Sequence, residues 1–162
     1  MARSILCVED EEDTGNLIQA MLEREGYEVT WARDGRQAVL LFETTLPPGL
    51  ILLDVVVPYV NGFELLEGLR HNPDWCHVPI AMLSADYYEP DIKRALMKGA
   101  NAYVVKTPGL QDLIPTVNRL FAPPAKPAIG ETVAETERLV LHRRRSKPRR
   151  TSARPRKNES AS

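Results

Sequence analysis

The stretch LILLDVVVPYVNGFELL at residues 50–66 decides the fold. Leu50–Leu53 offers no polar face, so a strand made of it has to be covered on both sides, as the strands of parallel sheets are. It runs without a break into Asp54. Beyond the Pro58 turn, Gly62 to about Arg70 carries Phe63, Leu65, Leu66 and Leu69 at helical spacing. A strand buried on both faces, a carboxylate at its end and a helix that follows make one repeat of an alternating α/β chain.

The same alternation extends in both directions. Upstream, Ser4–Val8 (SILCV) reads as a buried strand, and Glu12–Glu25 as a helix carrying Leu17, Ile18, Met21 and Leu22, closed by Gly26. Tyr27–Ala32 alternates like a strand, and Asp34 caps a helix to about Phe42, with Ala38, Val39, Leu41 and Phe42 turned inward. Downstream, Pro79–Leu83 is a strand, Glu89–Lys98 a helix closed by Gly99, Ala102–Val105 a strand, and Asp112–Phe121 the last helix. Pro115 fits that helix only within its first turn. Five strands alternating with five helices, joined by right-handed crossovers, predict an α/β fold with a doubly wound five-stranded parallel sheet. In such sheets the functional crevice lies beyond the carboxyl ends of the strands.

Glu9-Asp10, Asp54, Ser84 and Lys106 follow the first, third, fourth and fifth strands. Taken singly, each has a plain structural explanation: a helix start, a turn, a cap and a solvated strand end. The fold brings all four strand ends to one edge, where three carboxylates converge. Each pair of them ~4 Å apart repels by ~4 kcal/mol at an effective dielectric of 20. A hard divalent cation such as Mg²⁺ relieves that repulsion, because carboxylates, a backbone carbonyl and waters suit it. A carboxylate there can act as nucleophile toward a phosphoryl group, with a cation and a lysine neutralising the transferring oxygens.

VEDEED at 8–13, LLDVVVPYVNGFELL at 52–66, MLSA at 82–85 and AYVVK at 102–106 together resemble the receiver domain of two-component response regulators. The resemblance covers residues 1–121 and implies the flavodoxin-like, CheY-like (βα)5 arrangement. It implies Asp54 as phosphoacceptor, with a histidine kinase or phosphotransfer protein as donor. It further implies Asp10 as a direct Mg²⁺ ligand alongside Asp54, Glu9 acting through a water, and Val56 offering its backbone carbonyl. Ser84 would be the switch hydroxyl, Lys106 the phosphate-binding lysine and Tyr103 the aromatic that follows the switch. One departure stands out: the family usually places proline, with a cis bond, directly after the lysine. Here Thr107 intervenes before Pro108.

The overall charge of −1 conceals a division between two parts. Residues 1–121 hold 10 Lys and Arg against 18 Asp and Glu, or −8, and residues 122–162 hold 11 against 4, or +7. The second part has five prolines and few large apolar residues, which argues for a disordered tail; Glu131–Arg145 could form at most a transient helix. Its basic run leaves three roles open: a solvated tail, weak attraction to nucleic acid, or docking on an acidic surface. Cys7 reads as a buried apolar residue, and Cys76-His77 alone makes a poor metal motif. Arg3, Glu9 and Asp10 interrupt the only N-terminal apolar stretch, and no run nears the roughly 18 apolar residues of a membrane span. These features point to the cytoplasm.

The leading expectation is therefore a phosphoacceptor switch, an enzyme at most toward its own phosphorylation and dephosphorylation. The alternative is a pseudo-receiver, an interaction module that is not phosphorylated. A hydrolase with an aspartyl nucleophile would need a substrate-enclosing cap for which residues 1–121 leave no room.

Overall fold

In a computed structural model of the chain, residues 3–122 are described. The expectations for the tail from residue 123 onward lie outside them. The strands are β1 (Ser4–Val8), β2 (Glu28–Ala32), β3 (Leu50–Asp54), β4 (Ile80–Ser84) and β5 (Ala102–Val105). The helices are α1 (Glu12–Arg24), α2 (Gly35–Thr44), α3 (Gly62–His71), α4 (Glu89–Met97) and α5 (Leu113–Phe121). All strand pairs are parallel, in the order β2-β1-β3-β4-β5. The chain starts beside the centre, moves to one edge and returns to build the other, so the order reverses between β1 and β3.

The apolar strands divide their side chains between two cores with a period of two. On one face Leu6, Val8, Ile51, Leu53, Ile80 and Met82 pack with Ala38 of α2, Phe63, Leu66 and Leu69 of α3 and Ala95 of α4. On the other, Ile5, Cys7, Leu50, Leu52, Ala81 and Leu83 pack with Ile18 and Leu22 of α1 and Leu113 and Val117 of α5. All five residues of β3 are buried, as its composition requires of a central strand.

The elements agree with the expected ones to within one or two residues at their ends. Two helix faces need correcting. Leu17 is 43% exposed and Val39 sits at 36%, because the arcs that reach the sheet are narrower: Gly15, Ile18 and Leu22 in α1, Gly35 and Ala38 in α2. Asp34 does cap α2, accepting the Gln37 amide at 2.8 Å, and Pro115 does fall in the first turn of α5. Unforeseen is a 3-10 turn at Pro108–Leu110, where Gly109 and the buried Leu110 both take positive φ. Among the described residues no helix is long and apolar enough to cross a membrane.

Candidate metal and phosphoacceptor site

The crevice opens where the topology requires, at the carboxyl edge beside the reversal of strand order. Glu9, Asp10, Asp54, Val56, Ser84 and Lys106 all line one cleft of about 680 Å³. Carboxylate oxygens of Glu9, Asp10 and Asp54 lie within 4.8 Å of one another. Glu9 is wholly buried and Asp54 is 4% exposed, whereas Asp10 faces solvent. Donors that are all oxygen, on carboxylates crowded at one edge, suit a hard cation such as Mg²⁺.

Each acid is positioned by backbone. Asp54 ends β3, its Oδ1 accepts the Val56 amide at 3.0 Å and its Oδ2 accepts from Lys106 Nζ. Glu9 Oε1 accepts the Glu11 amide at 3.1 Å, and Glu9 Oε2 lies 2.6 Å from Lys106 Nζ. That second contact is an ion pair without good hydrogen-bond geometry. The Glu9 backbone is tied to β2 on both sides: its amide donates to the Ala32 carbonyl at 3.1 Å, and Trp31 Nε1 donates to its carbonyl at 2.8 Å. Lys106 is held in turn by its amide, which donates to the Ser84 carbonyl at 2.7 Å.

Burial dominates the electrostatics. It raises the Glu9 carboxyl to about 7, against the opposing pull of Lys106 and with repulsion from Asp54 adding to the rise. Burial pulls the Lys106 ammonium down, but the hydrogen bond to Asp54 and the negative charges of Asp54 and Glu9 outweigh that, and its pKa is raised overall. One lysine thus serves two carboxylates, and the cluster is short of positive charge. The Cys7 thiol beneath it is pushed far up, chiefly by burial, and behaves as an apolar side chain.

The switch candidates occupy different depths. Ser84 Oγ donates to the Asp86 carbonyl at 3.0 Å and accepts the Asp86 amide. Tyr103 does not line the cleft; it packs half-buried against the α2–α3–α4 core. Its hydroxyl is buried without a hydrogen-bond partner, and its pKa is raised, first by burial and in opposition to the nearby Ser84. No described peptide bond is cis, so Lys106–Thr107 is trans. Lys106 reaches both acids nonetheless.

The loop after Asp54 is clamped from α2 and α3. The Gly35 amide donates to the Pro58 carbonyl at 3.0 Å, and the Arg36 guanidinium lies 3.8 Å over the ring of Tyr59, a non-glycine residue at φ 73°. The Gly62 amide donates to the Val55 carbonyl at 3.0 Å, and a Cβ on Gly62 would sit 2.1 Å from the Asp54 carbonyl oxygen. That oxygen belongs to backbone and cannot swing aside. Gly62→Ala is expected to destabilise the domain by ~2–4 kcal/mol, read as a lower urea midpoint at unchanged slope. A midpoint within error of wild type would show that α3 is not pinned to the acceptor strand.

Asp86, Tyr87, Tyr88 and Asp91, which also line the cleft, had no signal in the sequence. They come from the β4–α4 loop and first turn, whose path no periodicity encodes. Cys76 and His77 belong to no converging group of three or more His, Cys, Asp or Glu side chains among the described residues. The converging His, Cys, Asp or Glu group among the described residues is the Glu9–Asp10–Asp54 trio.

A doubly wound α/β domain with an acid-lined crevice and a half-buried lysine at its switch point is the class defined by this geometry. Residues 5–118 match the family described as "Response regulator receiver domain", and the chain belongs to it. It is 35% identical over 152 residues to the phosphate regulon transcriptional regulatory protein PhoB of Rhizobium meliloti (strain 1021), covering 94% of this chain and 66% of that one. It therefore spans just under two thirds of that relative's length. Among solved structures, the chemotaxis response regulator CheY4 of Vibrio cholerae is 27% identical at a TM-score of 0.69, covering 74% of this chain and 99% of that one. The receiver domain of sensor histidine kinase PA1611 from Pseudomonas aeruginosa PAO1 is 31% identical at 0.67, covering 75% and 98%. That last structure has a magnesium ion coordinated in its active-site cleft. Receiver domains are signalling switches, and response-regulator relatives act with histidine kinases and downstream targets.

Proposed function

We propose that residues 1–121 form a receiver that accepts a phosphoryl group on Asp54, followed by residues 122–162 as a basic appendage. The observation that carries this reading is the state of Asp54: a carboxylate 4% exposed at the end of the central strand, fixed through one oxygen by the Val56 amide and through the other by Lys106. A carboxylate oxygen of Asp54 forms the new bond to phosphorus, and the bond from phosphorus to the donor histidine nitrogen breaks. The donor is a sensor histidine kinase or a phosphotransfer protein. Lys106, already between Glu9 and Asp54, neutralises charge on the transferring oxygens. Mg²⁺ would be held by Asp10, Asp54 and the Val56 carbonyl, with Glu9 acting through a water, and when bound it supplies electrostatic stabilisation of the phosphoryl oxygens.

Ser84, at the cleft wall, would hydrogen-bond the arriving phosphate. Tyr103, whose hydroxyl has nothing to lose by moving, would follow into the space vacated. The domain's catalysis is confined to its own phosphorylation and dephosphorylation, and on this reading it works in the cytoplasm.

Acetyl phosphate with Mg²⁺ should add the mass of one phosphoryl group to the full chain, and with EDTA none. No addition under either condition would leave the pseudo-receiver as the better account. Asp10→Asn should weaken Mg²⁺ binding by at least about tenfold, the lower end of what even an outer-shell partner contributes to metal affinity. Equal affinities of the variant and wild type by calorimetry would remove Asp10 from the coordination.

A further inference from the structure

Trp31 is an indole near the end of β2, an edge strand, and it is no ligand of the site. Its Nε1 nevertheless donates to the Glu9 carbonyl at 2.8 Å, so a side chain of one strand ties down the residue that follows another. We infer that Trp31 is a positioning residue for the metal site: it fixes the peptide between Glu9 and Asp10, and through it the direction in which the Asp10 carboxylate faces the cleft. The inference rests on the Mg²⁺ coordination proposed above and adds a residue outside it.

Contacts on either side bracket Asp10. Before it, the Glu9 amide donates to the Ala32 carbonyl at 3.1 Å while the Glu9 carbonyl accepts from the indole. After it, the Gly15 amide donates to the Glu11 carbonyl at 2.9 Å and closes the first turn of α1. Asp10 itself is exposed, and among the described residues no side chain holds its carboxylate. Its direction is therefore set by backbone. The indole fits because residue 15 is glycine: a Cβ there would stand 2.0 Å from Cζ2 and 2.4 Å from Cε2 of Trp31. The backbone of Gly15 does not require glycine, since its φ is not positive, and glycine is a poor residue for a helix interior. The ring accounts for it.

Losing the indole donor would reach the metal by a short route. Glu9 is wholly buried, so its carbonyl would become a buried acceptor without a partner, and such groups turn until they find one. That carbonyl shares a rigid plane with the Asp10 amide. Turning it rotates the Asp10 backbone and carries the carboxylate away from those of Glu9 and Asp54, whose oxygens now lie within 4.8 Å of its own. Mg²⁺ demands near-ideal octahedral geometry and tolerates such a displacement badly.

The test is Mg²⁺ binding to the full chain by calorimetry, beside urea titrations in EDTA. Trp31→Phe keeps an aromatic ring and loses the donor. It should bind Mg²⁺ about tenfold more weakly than wild type, the lower end for partners that orient metal ligands. Gly15→Ala, whose methyl displaces the indole, should weaken binding similarly although alanine is the better helix former. Added to Trp31→Ala, the same substitution should cost nothing further, because the ring it displaces is gone. Trp75→Phe, in the core behind Phe42, should lower the urea midpoint and leave Mg²⁺ affinity unchanged. Wild-type affinity in Trp31→Phe, a Gly15→Ala loss that persists in full without the indole, or equal losses in Trp31→Phe and Trp75→Phe would each overturn the inference and leave the Mg²⁺ reading standing. A wild-type chain that binds no Mg²⁺ would overturn both.

Discussion

Asp54→Asn is expected to accept phosphoryl from acetyl phosphate at least about a hundredfold more slowly than wild type, a barrier increase of about 2.7 kcal/mol. The amide is nearly isosteric with the carboxylate, so the loss is chemical. An amide oxygen carries no negative charge to attack phosphorus, and an acyl phosphate cannot form from it without expelling ammonia. The substitution also isolates Asp54 from its neighbours, since Glu9 and Asp10 remain as carboxylates in the same cleft. Stability should not fall with activity. Removing one of three carboxylates whose oxygens lie within 4.8 Å relieves repulsion, and Lys106 keeps Glu9 as a partner. Intact-mass and peptide mapping of both proteins, beside a urea titration of each, would check this. Phosphorylation of the variant at the wild-type rate would move the acceptor to Asp10 or Glu9.

The fold was legible because its evidence is repetitive. Apart from one terminal polar residue each, β1, β3 and β4 are apolar, which only a doubly covered sheet satisfies, and the helices between them keep a period near 3.6. The crevice followed from topology, since Glu9, Asp54, Ser84 and Lys106 stand at or just past strand ends that parallel order brings together. What periodicity cannot show is how a side chain meets a distant loop. Trp75, in the turn between α3 and β4, is 2% exposed because it packs 5.0 Å from Phe42, a contact with no local signature. Arg70 reads as a surface residue of α3. It donates instead to the carbonyls of Gly99, Cys76 and Val78 and to Asn101 Oδ1, tying three segments at the amino edge. Leu17 erred the other way, as an apolar residue at a helical spacing that misses the sheet by part of a turn. The relation of Lys106 to its acids was the least predictable part of the site, because Thr107 stands where the family usually has proline; the turn that follows has two consecutive residues at positive φ.

Lys106→Met is expected to cost the metal-free domain about 3 kcal/mol at mildly alkaline pH, the scale on which a buried pair loses one partner. Methionine keeps most of the volume, so the loss reports charge: a wholly buried Glu9 and an Asp54 that is 4% exposed would face each other with no cation. The pH dependence follows from Glu9, whose pKa is raised to about 7 in the fold from an ordinary 4.5. A group raised on folding contributes stability that is fully present below its unfolded pKa and lost as pH rises through its folded one. In wild type that loss runs from about pH 4.5 to about pH 7. Lys106 is the influence that lowers Glu9, so in Lys106→Met the carboxyl titrates higher still and the loss continues above pH 7. The two proteins should therefore be closest in stability near pH 5, where Glu9 is largely protonated in both folds, and diverge as pH rises. Mg²⁺ should recover part of the deficit at high pH, because it restores positive charge to the same oxygens without competition from the ammonium. Urea midpoints across pH, with and without Mg²⁺, would decide the matter. Equal stabilities at every pH in EDTA would reduce the Lys106 contacts to a solvent-screened pair of little worth.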